Sequence, residues 1–187
     1  MELLDGFDRA MDEFDQRVHE VGSRQWSSPT PCAEWSVRDL VNHLTGEHLW
    51  APWMLRGATL SEVGDRFDGD VLGDDPVGAW EGASATSREA AHRSGVLDSP
   101  VHTSGGLTPA DEYLRQMTLD LTVHAWDLAR GIGADERLDA DLVGMGYEYV
   151  EPQIDGWQSF GVFDPPVSVA DSAPLQDRLV ALLGRRP

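Results

Sequence analysis

The sequence predicts an all-α protein: a four-helix bundle with additional short helices and a C-terminal extension. Three observations carry this. Apolar residues recur at three- and four-residue spacing in several segments, helix start and stop chemistry brackets those segments, and the one stretch that reads as extended, Gly95 to Thr108, is short and rich in turn residues.

From Leu3 to Val21 the residues Leu3, Phe7, Met11, Phe14, Val18 and Val21 form an apolar stripe between acids and Arg, which predicts an amphipathic first helix. Gly22 to Pro31 has the Ser, Pro and Gly content of a loop. Ser36 and Asp39 then make a variant capping box, so a second helix is predicted from Val37 to about Arg56, kinked or ended by Pro52. Gly57 to Asp75 reads as loop, and Pro76 to Ala91 as a third helix with Val77, Trp80 and Ala83 on one face. Thr108-Pro109-Ala110-Asp111 opens a strong fourth helix with Pro at its first position. It runs to about Arg130 and stops at Gly131 and Gly133. A fifth helix is predicted from Asp139 to Val150, irregular chain from Phe160 to Pro174 on account of Pro165, Pro166 and Pro174, and a last helix from Leu175 to Leu183, ended by Gly184.

A length of 187 residues fits a single domain spanning 1–187, and 41% hydrophobic with 25% charged residues is the composition of a globular chain with a real core. The formal net charge of −19 repels phosphate backbones and anionic membrane surfaces, so neither nucleic acid nor membrane is expected as a partner. The fourteen basic residues are all Arg, which we read as composition bias rather than function. The acidic, amphipathic start MELLDGFDRAMDEFDQ does not read as a leader, and a cytoplasmic protein is expected. A single cysteine, Cys32, makes neither an internal disulfide nor a cysteine-rich zinc site, so any metal must rely on His, Asp or Glu.

The residues that carry chemistry lie on the second and fourth helices. Asp120 and His124 are four apart, so their side chains share a face and can converge on one ion, although the same spacing also makes an ordinary helical Asp–His hydrogen bond. His43, in the middle of the second helix, is the natural third donor from a facing element. Two His and one carboxylate leave a coordination position open, as a catalytic site requires, and suit zinc, nickel, manganese or iron. Glu47 is a rival carboxylate ligand or a solvated residue. Asp39 either caps its helix or supports His43, and capping is favoured. His48 reads as packing or surface, and His19, His92 and His102 have no spacing that singles them out. Cys32, just before the second helix, is either dipole-activated or simply buried. Trp35, Trp50, Trp53 and Trp126 are expected in the core or as pocket wall. No Ser-His-Asp triad or phosphate-binding glycine loop is supported.

The segments TPCAEWSVRDLVNHLTGEHLW (30–50), LTVHAWDLARGIG (121–133) and RLVALLGRRP (178–187) together resemble the DinB-like superfamily. More closely, they resemble actinobacterial proteins related to the N-terminal domain of mycothiol-dependent maleylpyruvate isomerase. The resemblance implies a DinB-like four-helix bundle whose divalent metal, zinc first among the choices, is held by His43, Asp120 and His124. Relatives usually carry Glu at the middle position, where this chain has the shorter Asp120. The resemblance also implies thiol chemistry. A low-molecular-weight thiol such as mycothiol, activated as a metal-bound thiolate, would attack an electrophile, making a thiol S-transferase the leading expectation. The alternative is a non-catalytic metal- or small-molecule-binding bundle, used as a regulatory interaction module. The isomerase uses a separate C-terminal domain that 187 residues are not expected to include, so isomerisation itself is not expected. Homodimerisation through bundle helices is expected on the same grounds.

Overall fold

In the computed structural model, which describes residues 1–159 and 163–187, eight α-helices and one small hairpin are found among the described residues. Helix α1 (Leu3–Glu20) buries Phe7, Met11, Phe14 and Val18, the stripe read from the sequence. Burying each of these side chains stabilises the fold by about 1.5–3 kcal/mol. Helix α2 (Val37–Met54) starts at the expected capping box: the Asp39 N–H donates to Ser36 Oγ at 3.2 Å, and Asp39 Oδ2 accepts the Ser36 N–H at 2.9 Å. Asp39 is therefore a cap. Pro52 lies in the last turn of α2, which ends two residues later.

The segment read as loop contains a one-turn helix, α3 (Leu60–Val63), held by a second capping box between Thr59 and Glu62. Helix α4 (Pro76–Ala91) has the predicted bounds, with Asp75 as N-cap. A 3₁₀ turn (Val96–Asp98) leads into an antiparallel hairpin, β1 (Pro100–Thr103) and β2 (Gly106–Pro109), in which Pro100 faces Pro109. Pro109 is thus the last strand residue and the N-cap of α5 (Ala110–Ile132), not its first helical position, and Gly133 ends α5 with a φ of 71°. Helix α6 (Ala140–Val150) is capped by Asp139. Helix α7 (Ile154–Ser159) was not expected. Of the chain expected to be irregular, residues 163–174 contain no helix, and Phe160–Val162 lie outside the described residues. Helix α8 (Leu175–Leu182) closes the chain.

The four bundle helices pair as α1 along α5 and α2 along α4, around a core of Phe7, Phe14, Leu44, Trp80, Leu114 and Leu121. Helices α6 and α8 pack on each other and on the opposite face of α5, where Leu119, Val123, Val143, Val150, Leu179 and Leu183 form a second apolar cluster. Helix α5 is consequently covered on both faces along much of its length, and the buried His124 and Asp127, with the partly buried Asp120, need partners there. No helix among the described residues is long and apolar enough to cross a membrane.

Candidate metal centre

The fold brings His43, Asp120 and His124 together. Asp120 Oδ2 lies 3.3 Å from His43 Nε2 and Asp120 Oδ1 lies 3.3 Å from His124 Nε2, so each carboxylate oxygen faces one imidazole. One donor atom from each residue falls within 4.8 Å of the other two, and the two rings meet edge to face at 5.4 Å. The shorter Asp120 side chain reaches both histidines without a longer carboxylate arm. Ligands of a tetrahedral zinc ion at ordinary bond lengths stand roughly 3.3–3.6 Å apart. Charge-assisted N–H···O contacts close to about 2.7–2.9 Å, so the spacing found fits a shared ion better than it fits a tight ion pair. His43 and Asp120 keep about a third of their side-chain surface exposed (30% and 33%), against 9% for His124, which leaves the group open on one side. Trp35 stands over the site, its ring 4.9 Å from His43 and 5.9 Å from His124.

Behind His124 lies a support that the sequence reading missed. His124 Nδ1 is 3.0 Å from Asp127 Oδ2, and this carboxylate, with no exposed surface, accepts from Arg185 Nη2 at 3.0 Å. Taking the Nδ1–H of His124 leaves Nε2 as the ligating atom of the neutral ring, the usual job of a carboxylate behind a metal-binding histidine. Asp127 was legible as the i+3 neighbour of His124 on a helix. Arg185 had no local signal: it arrives from 58 residues away. Gly184, with a φ of +86°, makes that arrival possible, since a Cβ there would lie 2.5 Å from Asp164 Cβ.

Cys32 joins this support. Its thiol donates to Asp127 Oδ2 at 3.2 Å and lies 3.7 Å from His124 Nδ1, which makes Cys32, His124 and Asp127 a second group of potential ligands. Arg185 Nη2 stands 3.5 Å from Cys32 Sγ as well as 3.0 Å from Asp127, so a protein cation already serves that group. Only the first group offers an ion a place not already served by an arginine.

Charge couples the two groups through His124. Burial alone would raise the Asp120 carboxyl, but the charge and hydrogen bonds of His124, with those of His43, hold it far below the ordinary carboxylate range. Burial would lower His124, yet Asp120, Asp127 and Cys32 together push it well above an ordinary imidazole. Burial likewise opposes the ionisation of Asp127, and His124 and Arg185 overcome it. Glu47, the rival ligand, lies along the same cavity rather than in the donor group. Burial, then the Asp120 charge, raises its carboxyl. The cavity has a volume of about 330 Å³ and runs from His43, Asp120 and His124 past Glu47 to His48 and Tyr113. His48, read as packing or surface, is fully buried. His19 and His92 are exposed partners of surface acids.

Fold and site define an all-α, DinB-like bundle with a two-histidine, one-carboxylate donor group between α2 and α5. The sequence profile of the mycothiol maleylpyruvate isomerase N-terminal domain matches residues 7–129, and the chain belongs to that family. Two Mycobacterium tuberculosis proteins, Rv0738 of strain H37Rv and MT0763 of strain CDC 1551, are each 30% identical to it over 199 aligned positions. The alignments cover 99% of this chain and 98% of theirs, and both proteins are described as uncharacterized. No solved structure matches.

Proposed function

We propose that the protein is a divalent-metal-dependent thiol S-transferase, in which His43, Asp120 and His124 hold one ion, zinc first among the choices. The observation that carries this reading is the convergence of three donors on one centre at the open side of a cavity, in a chain of a mycothiol-linked family. A zinc ion, held by His43, Asp120 and His124, would lower the pKa of a low-molecular-weight thiol such as mycothiol and so make its thiolate available at neutral pH. The chain's own residues do the rest. His43 and His124 present their Nε2 atoms from two helices, Asp120 bridges them, and Asp127 with Arg185 keeps the His124 ring from turning. Trp35 shields the donors on one side, and the cavity receives the electrophile on the other. The thiol sulfur then forms a bond to the electrophilic carbon, the leaving group departs with the bonding pair, and the thiol proton passes to solvent.

One observation favours a second reading, a non-catalytic metal- or small-molecule-binding bundle acting as a regulatory module. Asp120 already lies between both imidazoles, so the group is stable in charge without any ligand. Incubating the full chain with mycothiol and monobromobimane, zinc-loaded or chelated, separates the two. The transferase reading expects zinc-dependent thioether formation with one bromide released per thiol consumed. No zinc-dependent thiol consumption across a broad panel of electrophiles would overturn it in favour of the binding module.

A further inference from the structure

Among the described residues, the buried side-chain polar atoms without a hydrogen-bond partner are Asp8 Oδ1, Arg17 Nε, His48 Nε2 and the Tyr113 hydroxyl. The first two belong to charged groups whose other atoms are engaged, Asp8 with His92 at 2.9 Å and Arg17 with the Arg137 carbonyl at 2.8 Å. His48 and Tyr113 are different. They come from separate helices, α2 and α5, and both line the cavity that begins at the metal centre.

The two side chains are held where they are. His48 exposes none of its surface, its Nδ1 is 2.8 Å from Ser87 Oγ of α4, and the rings of Phe7 and Trp80 flank it at 6.0 and 5.3 Å. Tyr113 exposes 6%. A buried polar atom left without a partner destabilises the fold, and native structures seldom leave one. Both residues line one cavity, and a molecule that enters it is the partner this arrangement offers to the two side chains.

We propose that His48 and Tyr113 form a subsite that takes the uncharged hydroxyl or carbonyl group of a small molecule bound in this cavity. The pair is neutral in charge: burial pushes His48 down to about 3, and burial, then the Glu47 charge, keeps the Tyr113 hydroxyl protonated. Glu47 and Asp120 line the same cavity together with His43, His124 and Arg185, so the charged groups of the lining compensate one another and the neutral pair is left for an uncharged group. Met117 and Val123 offer apolar wall to the ligand's body. A neutral tyrosine hydroxyl can donate to a carbonyl, and a neutral imidazole can complement a hydroxyl as donor or acceptor according to its tautomer. The subsite needs the cavity and not the ion, so it stands independently of the transferase reading.

The test is ligand-observed NMR titration of the full chain with cyclohexanone and cyclohexanol, with cyclohexanecarboxylate as the charged comparison, in chelated and zinc-loaded protein. Both neutral probes should bind both forms, and the carboxylate, whose charge the neutral pair does not compensate, should bind the chelated form more weakly than either. Tyr113→Phe should weaken cyclohexanone roughly fivefold, the loss of one neutral hydrogen bond. His48→Asn, which keeps a polar group near the Nδ1 position for Ser87, should weaken cyclohexanol by a similar factor. Equal affinity in wild type and Tyr113→Phe, or no neutral probe bound, would overturn the subsite. Binding restricted to zinc-loaded protein would also overturn it, since the probe would then sit on the metal. Failure to bind zinc while the chelated protein behaves as predicted leaves the subsite supported and counts against the transferase reading alone.

Discussion

Two donor groups share His124, one through each ring nitrogen, and they differ in what stands beside them. The Nε2 side meets Asp120 and His43 and opens toward a cavity, while the Nδ1 side meets Asp127 and Cys32 and is closed by Arg185. By proximity of donors alone both qualify as metal sites. Electrostatics separates them: a buried carboxylate must have a cation, and where the chain provides a guanidinium an ion has nothing left to neutralise. One group is therefore closed by a cation of the chain, the other is the one that, on the function proposed above, would take a metal ion, and a single imidazole links the two.

Breaking the structural group should have the largest effect. Arg185→Met takes the guanidinium from the fully buried Asp127 carboxylate and leaves it His124 and Cys32, and stability should fall by about 3 kcal/mol, measured as a lower denaturant midpoint. Combining Asp127→Asn with Arg185→Met should cost less than Arg185→Met alone, since no charge is then left unpaired. A double variant as unstable as the sum of the singles would contradict the pairing. The next effect crosses from one group to the other. Asp127→Asn alone, which touches none of the three donors' Nε2 and Oδ atoms, should weaken zinc by about 10–100-fold through loss of the carboxylate that orients His124. Titration against a chromophoric chelator reads this, and an unchanged affinity would mean that the groups are not coupled.

A third effect concerns pH and lies outside both groups. Burial holds His48 at about 3 in the folded protein against 6.5 ordinarily, a depression that the Asp120 charge opposes and that His43 and Arg88 assist. Between those values the unfolded chain binds a proton that the folded chain does not. Stability from this residue is therefore full above about pH 6.5 and is lost as pH falls toward about 3, with a slope of about 1.4 kcal/mol per pH unit where the difference is one whole proton. In chelated protein, the wild type's stability relative to His48→Asn should decline on acidification across that window. Parallel stability curves for the two proteins would refute the buried neutral histidine.

What was legible in the sequence was whatever local chemistry controls. The α1 stripe, the Ser36–Asp39 cap and the bounds of α4 follow from periodicity and capping, and the Asp120–His124 pair follows from one helical turn. The cap of α3 was equally local, since Thr59 and Glu62 stand at capping-box spacing, but the surrounding Gly and Asp residues read as loop. His48 is five residues after His43, about 140° around the helix, so it points toward α1 and α4 instead of sharing the His43 face. Which apolar neighbours would surround it was a tertiary fact. Arg185 was less accessible still, because its approach depends on how the last helix packs on α6 and on the turn at Gly184.

The central claim is that the Nε2 group recruits the ion and the Nδ1 group does not. Zinc stoichiometry by elemental analysis of dialysed protein tests it directly, on wild type, His43→Ala, His124→Ala, Asp120→Glu and Cys32→Ser, with circular dichroism confirming the fold. One equivalent in wild type, Asp120→Glu and Cys32→Ser, and none in folded His43→Ala and His124→Ala, is the predicted result. A full equivalent retained by both histidine variants, or lost in Cys32→Ser alone, would contradict it.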